Sequence, residues 1–253
     1  MQRILAVGYA LVAYLIFFAT FLWLIAFLAD LAIFPTTVNS AIDGAPLAEA
    51  ILIDLSLIAL FGLQHSIMAR PAFKARWTKI VPASVERSTY VIAAAIALAL
   101  LLRFWHPIDG TIWDVRGTAF AVAIWTVFAV GWGVLLLSTF LINHFELFGL
   151  SQAWFHGLDR AQAPPVLREP LLYRYARHPL YLGFTIAFWA TPHLTVSHLL
   201  FAGGMQLYIL IGIAHEERDL VAHFGPAYDD YRGRVGMLIP GIGRRRRTPS
   251  PNR

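Results

Sequence analysis

From Ile4 to Ala29 the chain carries no charged residue. A membrane-spanning helix needs about 20 consecutive apolar residues, and this run exceeds that. A secretory leader would have a shorter apolar core ending in a small-residue cleavage site. Asp30 and Pro35 follow instead, so the run reads as a retained helix. Three further runs share its character: Leu47 to Met68, with Asp54, Gln64 and His65 inside it; Val85 to Trp105, opened by Glu86-Arg87; and Gly117 to Ile142, charge-free and aromatic. Four full transmembrane helices are expected from them. Composition agrees, because charged residues make up only 14% of the chain, against about 25% in an ordinary soluble domain. That is too little charge to coat a water-soluble globule. The absence of cysteine excludes disulfides, cysteine-held metals and a covalent cysteine intermediate.

Beyond Ile142 the character changes. Asn143 to Tyr175 is polar and mixed, with Pro164-Pro165 and several arginines. Two short apolar pieces follow, Leu180 to Ala190 and Leu199 to Ala214, separated by Thr191-Pro192-His193 and the residues up to His198. Each is shorter than a comfortable span. The expected geometry is a helical hairpin that dips into the bilayer and returns; one long broken helix is the alternative. From His215 onward the chain is polar, ending in Arg244 to Arg247 and a Thr/Pro/Ser tail expected to be disordered.

Charge in the loops orients the chain. Arg70, Lys74, Arg76, Lys79 and Arg87 lie after the second run, whereas Asp30, Asp43 and Glu49 follow the first without any Lys or Arg. The basic loop belongs on the cytoplasmic side, which places both termini there. The net charge of +5 is accordingly assigned to topology and to anionic membrane lipid, with no nucleic-acid partner and no obligate protein partner implied.

Polar residues beside a membrane are expensive and usually have a task. The densest group is Tyr173-Arg174-Tyr175-Ala176-Arg177-His178-Pro179-Leu180-Tyr181-Leu182-Gly183. Pro179 suits a first helical turn, and the amides there favour an anion or carboxylate. Gly183 admits a ligand or another helix close to the backbone. A basic juxtamembrane anchor with interfacial tyrosines is the plain reading of the same residues. The second group, His215-Glu216-Glu217-Arg218, is brought back toward the first by the hairpin. Adjacent carboxylates beside a membrane need cationic partners: a structural salt bridge to Arg174 or Arg177, or an amine-bearing ligand. Tyr228 and Tyr231 share a face if their segment is helical.

In sum, the order Arg-His-Pro-x-Tyr-x-Gly, broken hairpin, Glu-Glu-Arg-Asp-Leu, Phe-Gly-x-x-Tyr-x-x-Tyr and Val-x-x-Leu-Ile-Pro resembles the isoprenylcysteine carboxyl methyltransferase family over about the last third of the chain. Gln64-His65-Ser66-Ile67-Met68-Ala69-Arg70, Glu86-Arg87-Ser88-Thr89-Tyr90 and Asn143-His144-Phe145-Glu146-Leu147-Phe148-Gly149-Leu150 are similar to its NnrU-like branch. Within that branch the whole chain resembles bacterial membrane enzymes that methylate methanethiol to dimethyl sulfide. The resemblance implies an all-α polytopic protein of the bacterial inner membrane, with S-adenosylmethionine as cofactor and a small thiol as substrate. It implies cofactor-binding roles for Tyr175, Arg177, His178, Pro179, Tyr181, Gly183, Glu216, Glu217, Tyr228 and Tyr231, and no metal. Residues 1–142 then form the four helices, 143–243 the catalytic cofactor-binding region with its hairpin and cytoplasmic cap, and 244–253 the tail. The alternatives are methylation of a larger lipid-like thiol, carboxyl or amine, and an NnrU-type accessory or haem protein of nitrogen oxide metabolism, with His65 and His144 as haem ligands.

Methyl transfer to a thiol is an in-line displacement that needs aligned atoms and a thiolate. His144, Glu146 and His178 are the candidate bases, and the residues alone do not choose among them. Phe140, Phe145, Phe148, Trp154 and Phe155 are bulky. Facing a cavity, they would leave room for only a few heavy atoms; an interfacial belt is the other reading of Trp154 and Phe155.

Overall fold

The computed structural model describes residues 2–40, 45–157 and 167–243. The tail 244–253, Asp43 and the Pro164-Pro165 pair lie outside the described residues. Helices α1 (Gln2–Leu28), α2 (Leu47–Ala69), α4 (Ala83–Arg103), α5 (Ala119–Ile142) and α9 (Val196–Phe224) are each long and apolar enough to cross a membrane. Shorter helices are α3 (Pro71–Trp77), α6 (His144–Leu147), α7 (Leu150–Gly157), α8 (Pro179–Trp189) and α10 (Pro226–Arg234). Leu11, Val12, Leu15, Leu52, Phe120 and Val122 stand exposed on the long helices, as a surface facing lipid requires. The protein is an all-α polytopic membrane protein, with two short strands, β1 (Thr111–Asp114) and β2 (His193–Thr195).

The helices close a ring. Contacts run from α1 to α4, α4 to α2, α2 to α9, α9 to α8 and α8 to α5. Rings of Phe21 and Trp132, 5.2 Å apart, join α1 to α5 at the seam. Phe27, Leu101, Trp105, Phe188 and Phe201 fill the end of the ring that carries the strands.

Helices α5 and α8 cross as closely as backbones allow. A Cβ on Gly183 would lie 2.6 Å from the Leu135 nitrogen, and one on Gly131 would lie 2.7 Å from the Ala187 nitrogen. The pairing is antiparallel, and continuing it places Thr139 level with Pro179. Of the two neighbours that Gly183 could admit, the structure supplies the helix, so Gly183 packs and does not line a ligand site.

The C-terminal hairpin differs from the sequence-based expectation of two short arms. Helix α9 has 29 residues. It begins early because the Thr195 side chain accepts from the His198 amide at 3.0 Å, and it runs past Ala214 to Phe224 with its acids turned to one end. Helix α8 stops at Trp189, and the chain then becomes extended. An extended residue advances about 3.3 Å, against 1.5 Å in a helix, so residues 190–195 complete the rise that the short helix leaves unfinished. Their backbone groups pair with β1 and its flanks, antiparallel, with Val196 N donating to Gly110 O at 2.9 Å. The hairpin thus reaches the far end of the bundle and does not turn back inside it.

Candidate functional site

Arg177 anchors the site. It precedes α8, its side chain is 1% exposed, and its guanidinium meets Glu217 of α9, with Nη2 2.6 Å from Oε1. Its remaining donors go to backbone carbonyls of the C-terminal segment: Nη1 to Val235 O at 2.6 Å and to Arg232 O at 3.3 Å, and both Nη1 and Nη2 to Gly243 O at 3.3 Å. The backbone adds two bonds, Arg177 N to Gly236 O at 2.9 Å and His178 N to Met237 O at 3.1 Å. A guanidinium has five N–H groups, and these contacts use them. Of the two readings of the paired acids, the salt bridge holds for Glu217, and its partner is Arg177. Arg174 instead donates to Glu169 O at 3.2 Å. Arg177 keeps no donor for a ligand carboxylate; it fastens residues 232–243 across the site.

Glu216 does the opposite. Adjacent residues on a helix point about 100° apart, so when Glu217 turns inward to Arg177, Glu216 turns to the cleft beside it. Its side chain is 44% exposed, and its Oε2 lies 3.9 Å from His178 Nδ1. His178 Nε2 lies 3.3 Å from Glu217 Oε1. Tyr173, Tyr181 and Tyr228 surround Glu216 closely enough to feel its charge, and the Tyr181 hydroxyl hydrogen-bonds it. Tyr173 and Tyr228 are buried, yet neither hydroxyl has a partner. Burial, seconded for Tyr173 by the Glu216 charge and for Tyr228 by the Glu217 charge, raises both phenols, so they remain neutral donors. Tyr231 is spoken for, because its hydroxyl donates to Tyr173 O at 2.6 Å. Tyr175 is exposed. Pro179 opens α8 after an uncapped His178. The cleft therefore offers one carboxylate and two free buried hydroxyls to a cation carrying hydrogen-bonding groups.

A second feature lies at the α1–α5 seam. A cavity of about 190 Å³ is lined there by Phe17, Phe18, Phe21, Phe140 and Phe148, with Tyr14, Thr139 and His144 as polar members. His144 Nδ1 lies 2.8 Å from Thr139 Oγ1, and its Nε2 lies 2.9 Å from the Tyr14 hydroxyl. Thr139 gives its single proton to Leu136 O at 2.7 Å. It must therefore accept from Nδ1–H, and Tyr14 donates to Nε2. Both nitrogens of His144 are thus taken, which leaves neither for haem iron. Phe145 and Trp154 are exposed and, like Phe155, do not line the cavity. Glu146 is exposed, with Oε2 accepting from Asn143 Nδ2 at 2.7 Å in a helix cap. The structure brings His178, Tyr181, Glu216, Glu217 and Tyr228 together and leaves Glu146 outside.

Tyr173 and the strap 235–243 were not among the sequence-level site residues. Tyr173 had a signal, its place in the Tyr-Arg-Tyr run. Tyr14 had none, since one tyrosine in an apolar run looks like any lipid-facing aromatic.

Fold and site together define a polytopic helical membrane protein with a polar cluster around Arg177, Glu216 and Glu217 at one end of its bundle, crossed by its own C-terminal segment. The chain belongs to the NnrU protein family, whose model matches residues 54–238. It is 48% identical over 240 residues to the methanethiol S-methyltransferase of Mycobacterium tuberculosis, covering 95% of this chain and 98% of that protein. It is 48% identical over 238 residues to methanethiol S-methyltransferase 1 of Bradyrhizobium diazoefficiens, covering 94% and 83%. Against the methanethiol S-methyltransferase of Crocosphaera subtropica it is 42% identical over 245 residues, covering 97% and 95%. No solved structure matches the chain.

Proposed function

We propose that this protein is an integral membrane methyltransferase that transfers the methyl group of S-adenosylmethionine to methanethiol, giving dimethyl sulfide. The named relatives, similar along nearly the whole chain, support the reaction. The cleft at Glu216 carries the assignment of the donor site: two buried tyrosine hydroxyls without partners face a carboxylate, and buried polar groups are rarely left unpaired. We place the protein in the bacterial inner membrane with both termini and the donor cleft on the cytoplasmic side, following the basic loop after α2.

S-adenosylmethionine fits these residues, since its ammonium suits Glu216 and its polar edges suit Tyr173 and Tyr228; when bound, it supplies a methyl group made electrophilic by a sulfonium. The protein's part is to bind, orient and exclude water. Glu216 holds the amine end, and Tyr181 holds Glu216. His178 and Glu217 fix the start of α8, and Arg177 draws the strap over the cleft. The thiol reaches the site from the bilayer through the aromatic cavity at the α1–α5 seam, where His144 and Tyr14 form a polar lip. That cavity has room for a small thiol, and its apolar walls favour a reaction in which thiolate and sulfonium neutralise one another.

Calorimetry and product detection test this reading. Removing one charge-assisted contact costs about 1.5–3 kcal/mol, so Glu216→Gln should bind S-adenosylmethionine about 10- to 150-fold more weakly; Tyr228→Phe should lose less. Methanethiol should yield dimethyl sulfide, longer alkanethiols should react more slowly, and a prenylcysteine analogue should fail. Faster turnover of the prenylated compound would reassign the acceptor, and undiminished donor affinity in Glu216→Gln would remove the donor site.

A further inference from the structure

The polar residues of the α1–α5 cavity give their hydrogens to one another. His144 Nδ1–H goes to Thr139 Oγ1, the Thr139 hydroxyl to Leu136 O and the Tyr14 hydroxyl to His144 Nε2. The other lining side chains are phenylalanine and leucine. Among the lining residues no donor is therefore left to hold a thiolate, and no ring nitrogen is left to take a proton. A molecule that enters is selected by its apolar body and ionises through its own acidity.

The size of the cavity says which body fits. Its volume is about 190 Å³, whereas an apolar cavity of about 150 Å³ already stays dry and takes up benzene. Methanethiol, one carbon and one sulfur, leaves most of that space empty, and wall atoms that face a void lose their dispersion contacts. The walls are not free to collapse around it. Phe148 stacks on Phe17 with ring centroids 4.1 Å apart, and the backbone on both sides of Phe148 is pinned to α4. Arg87 Nε donates to Leu147 O at 2.8 Å, and Gly149 sits so close that a Cβ on it would lie 2.6 Å from Ser88 Oγ. Phe140 lies parallel to the His144 ring at 4.1 Å. Phe18, Leu136 and Phe140 line the cavity and are also exposed, so it opens on the surface that faces lipid.

We propose that this cavity also takes arenethiols, a single aromatic ring bearing one thiol, and that the protein methylates them as a second activity. This rests on the thiol-methylation reading above and widens its substrate class. A ring the size of benzene fills the cavity and leaves space for the sulfur. Aromatic walls favour an aromatic guest beyond the area it buries. A rigid ring gives up no rotamers on binding, whereas an alkyl chain of the same carbon count does. An arenethiol is also more acidic than an alkanethiol, which suits a cavity without a base. The S–H bond breaks and its proton passes to water. The freed sulfur electron pair forms the new bond to the methyl carbon, and the methyl–sulfonium bond breaks, with its electrons staying on the departing sulfur as a neutral thioether. The product is an aryl methyl sulfide.

The test gives the full-length protein in lipid nanodiscs S-adenosylmethionine with methanethiol, benzenethiol, hexanethiol or naphthalenethiol, and measures each methyl sulfide above the rate in empty nanodiscs. Benzenethiol should match or exceed methanethiol in kcat/KM. Hexanethiol, with the same number of carbons as benzenethiol, and naphthalenethiol, with a second ring, should fall below benzenethiol by about tenfold or more. Phe148→Trp and Leu136→Phe each fill part of the cavity. Each should lower the ratio of benzenethiol to methanethiol turnover by about 10- to 100-fold, whereas a general loss of structure would lower both rates alike; either variant decides the matter if the other does not fold. Binding without donor gives a second readout: fluorobenzene should show a saturable ¹⁹F signal with the wild type that empty nanodiscs lack and that Leu136→Phe weakens. Turnover of methanethiol without turnover of benzenethiol, or an unchanged ratio in the folded variants, would overturn the proposal. A wild type that binds the donor but methylates neither thiol would instead refute the thiol reading on which it rests.

Discussion

Cutting the link between Arg177 and Glu217 should release the strap without unfolding the spans. Their side chains are 1% and 8% exposed, so water screens the pair little. Arg177→Met leaves Glu217 buried with only His178 3.3 Å away, and strips Arg232 O, Val235 O and Gly243 O of a donor. Removing one partner of a buried pair costs about 3–5 kcal/mol. The cost should fall on the docking of residues 235–243, whose contacts to α8 are the amides of Arg177 and His178 bonded to Gly236 O and Met237 O. Hydrogen exchange at those two amides is the assay. At about 1.4 kcal/mol per factor of ten, exchange should quicken roughly 100- to 3000-fold, with the amides in the middle of α5 unchanged. The double variant Arg177→Met, Glu217→Leu should recover much of the loss, because it leaves no lone charge. If the two single losses simply added in the double variant, or if either single variant exchanged at the wild-type rate, the buried pair would not be what holds the strap.

Gly183→Ala should lower the thermal midpoint through the clash with Leu135, at a cost of about 1–3 kcal/mol; Gly133→Ala, with nothing within 4 Å of the new Cβ, should leave it unchanged, and equal effects would discredit the crossing. Burial lowers the His144 pKa below its ordinary 6.5, so the folded chain resists a proton that the unfolded chain accepts. Stability is unaffected above about pH 6.5 and falls as pH drops below it. The wild-type midpoint should therefore decline more steeply on acidification than that of His144→Gln, and parallel declines would contradict this. With no native cysteine, Ile33→Cys and Ile80→Cys, both highly exposed, report topology: an impermeant thiol reagent should reach Ile33→Cys from outside the cell and Ile80→Cys only from the cytoplasm.

The long spans were legible because length and lack of charge decide them locally. Helix α9 was cut short for the same reason. A hydropathy reading stops at His215, where charge begins, whereas the backbone continues because its acids find Arg177 and the cleft. Strands β1 and β2 are too short for alternation to show, and they pair residues about 80 positions apart, as Thr111 does with Thr195. In the site, the need of Glu216 and Glu217 for cationic partners was plain from burial cost. Which acid takes the arginine depended on helix rotation, and that depends on where α9 begins. The aromatic pocket was half visible: Phe140 and Phe148 line it, while Phe145 and Trp154 point away, a difference set by the turn at Asn143. His65 stood out as a histidine in an apolar run, but its bond to Tyr90 could not be seen before α2 and α4 are packed together.

The partners of Arg177 also impose an order on biosynthesis. The strap that supplies its carbonyls follows α10 in the chain, so it is translated only after every membrane span has been made. Insertion and packing of the helices can proceed while the guanidinium, at the aqueous end, is still hydrated and Glu217 is its only protein partner. A nascent chain halted before Val235 would sit in the membrane with its spans assembled and the polar end around Glu216 uncovered. Folding of the bundle and closure of its polar end are therefore separate events, the first governed by the bilayer and the second by a short stretch of backbone that follows the last span.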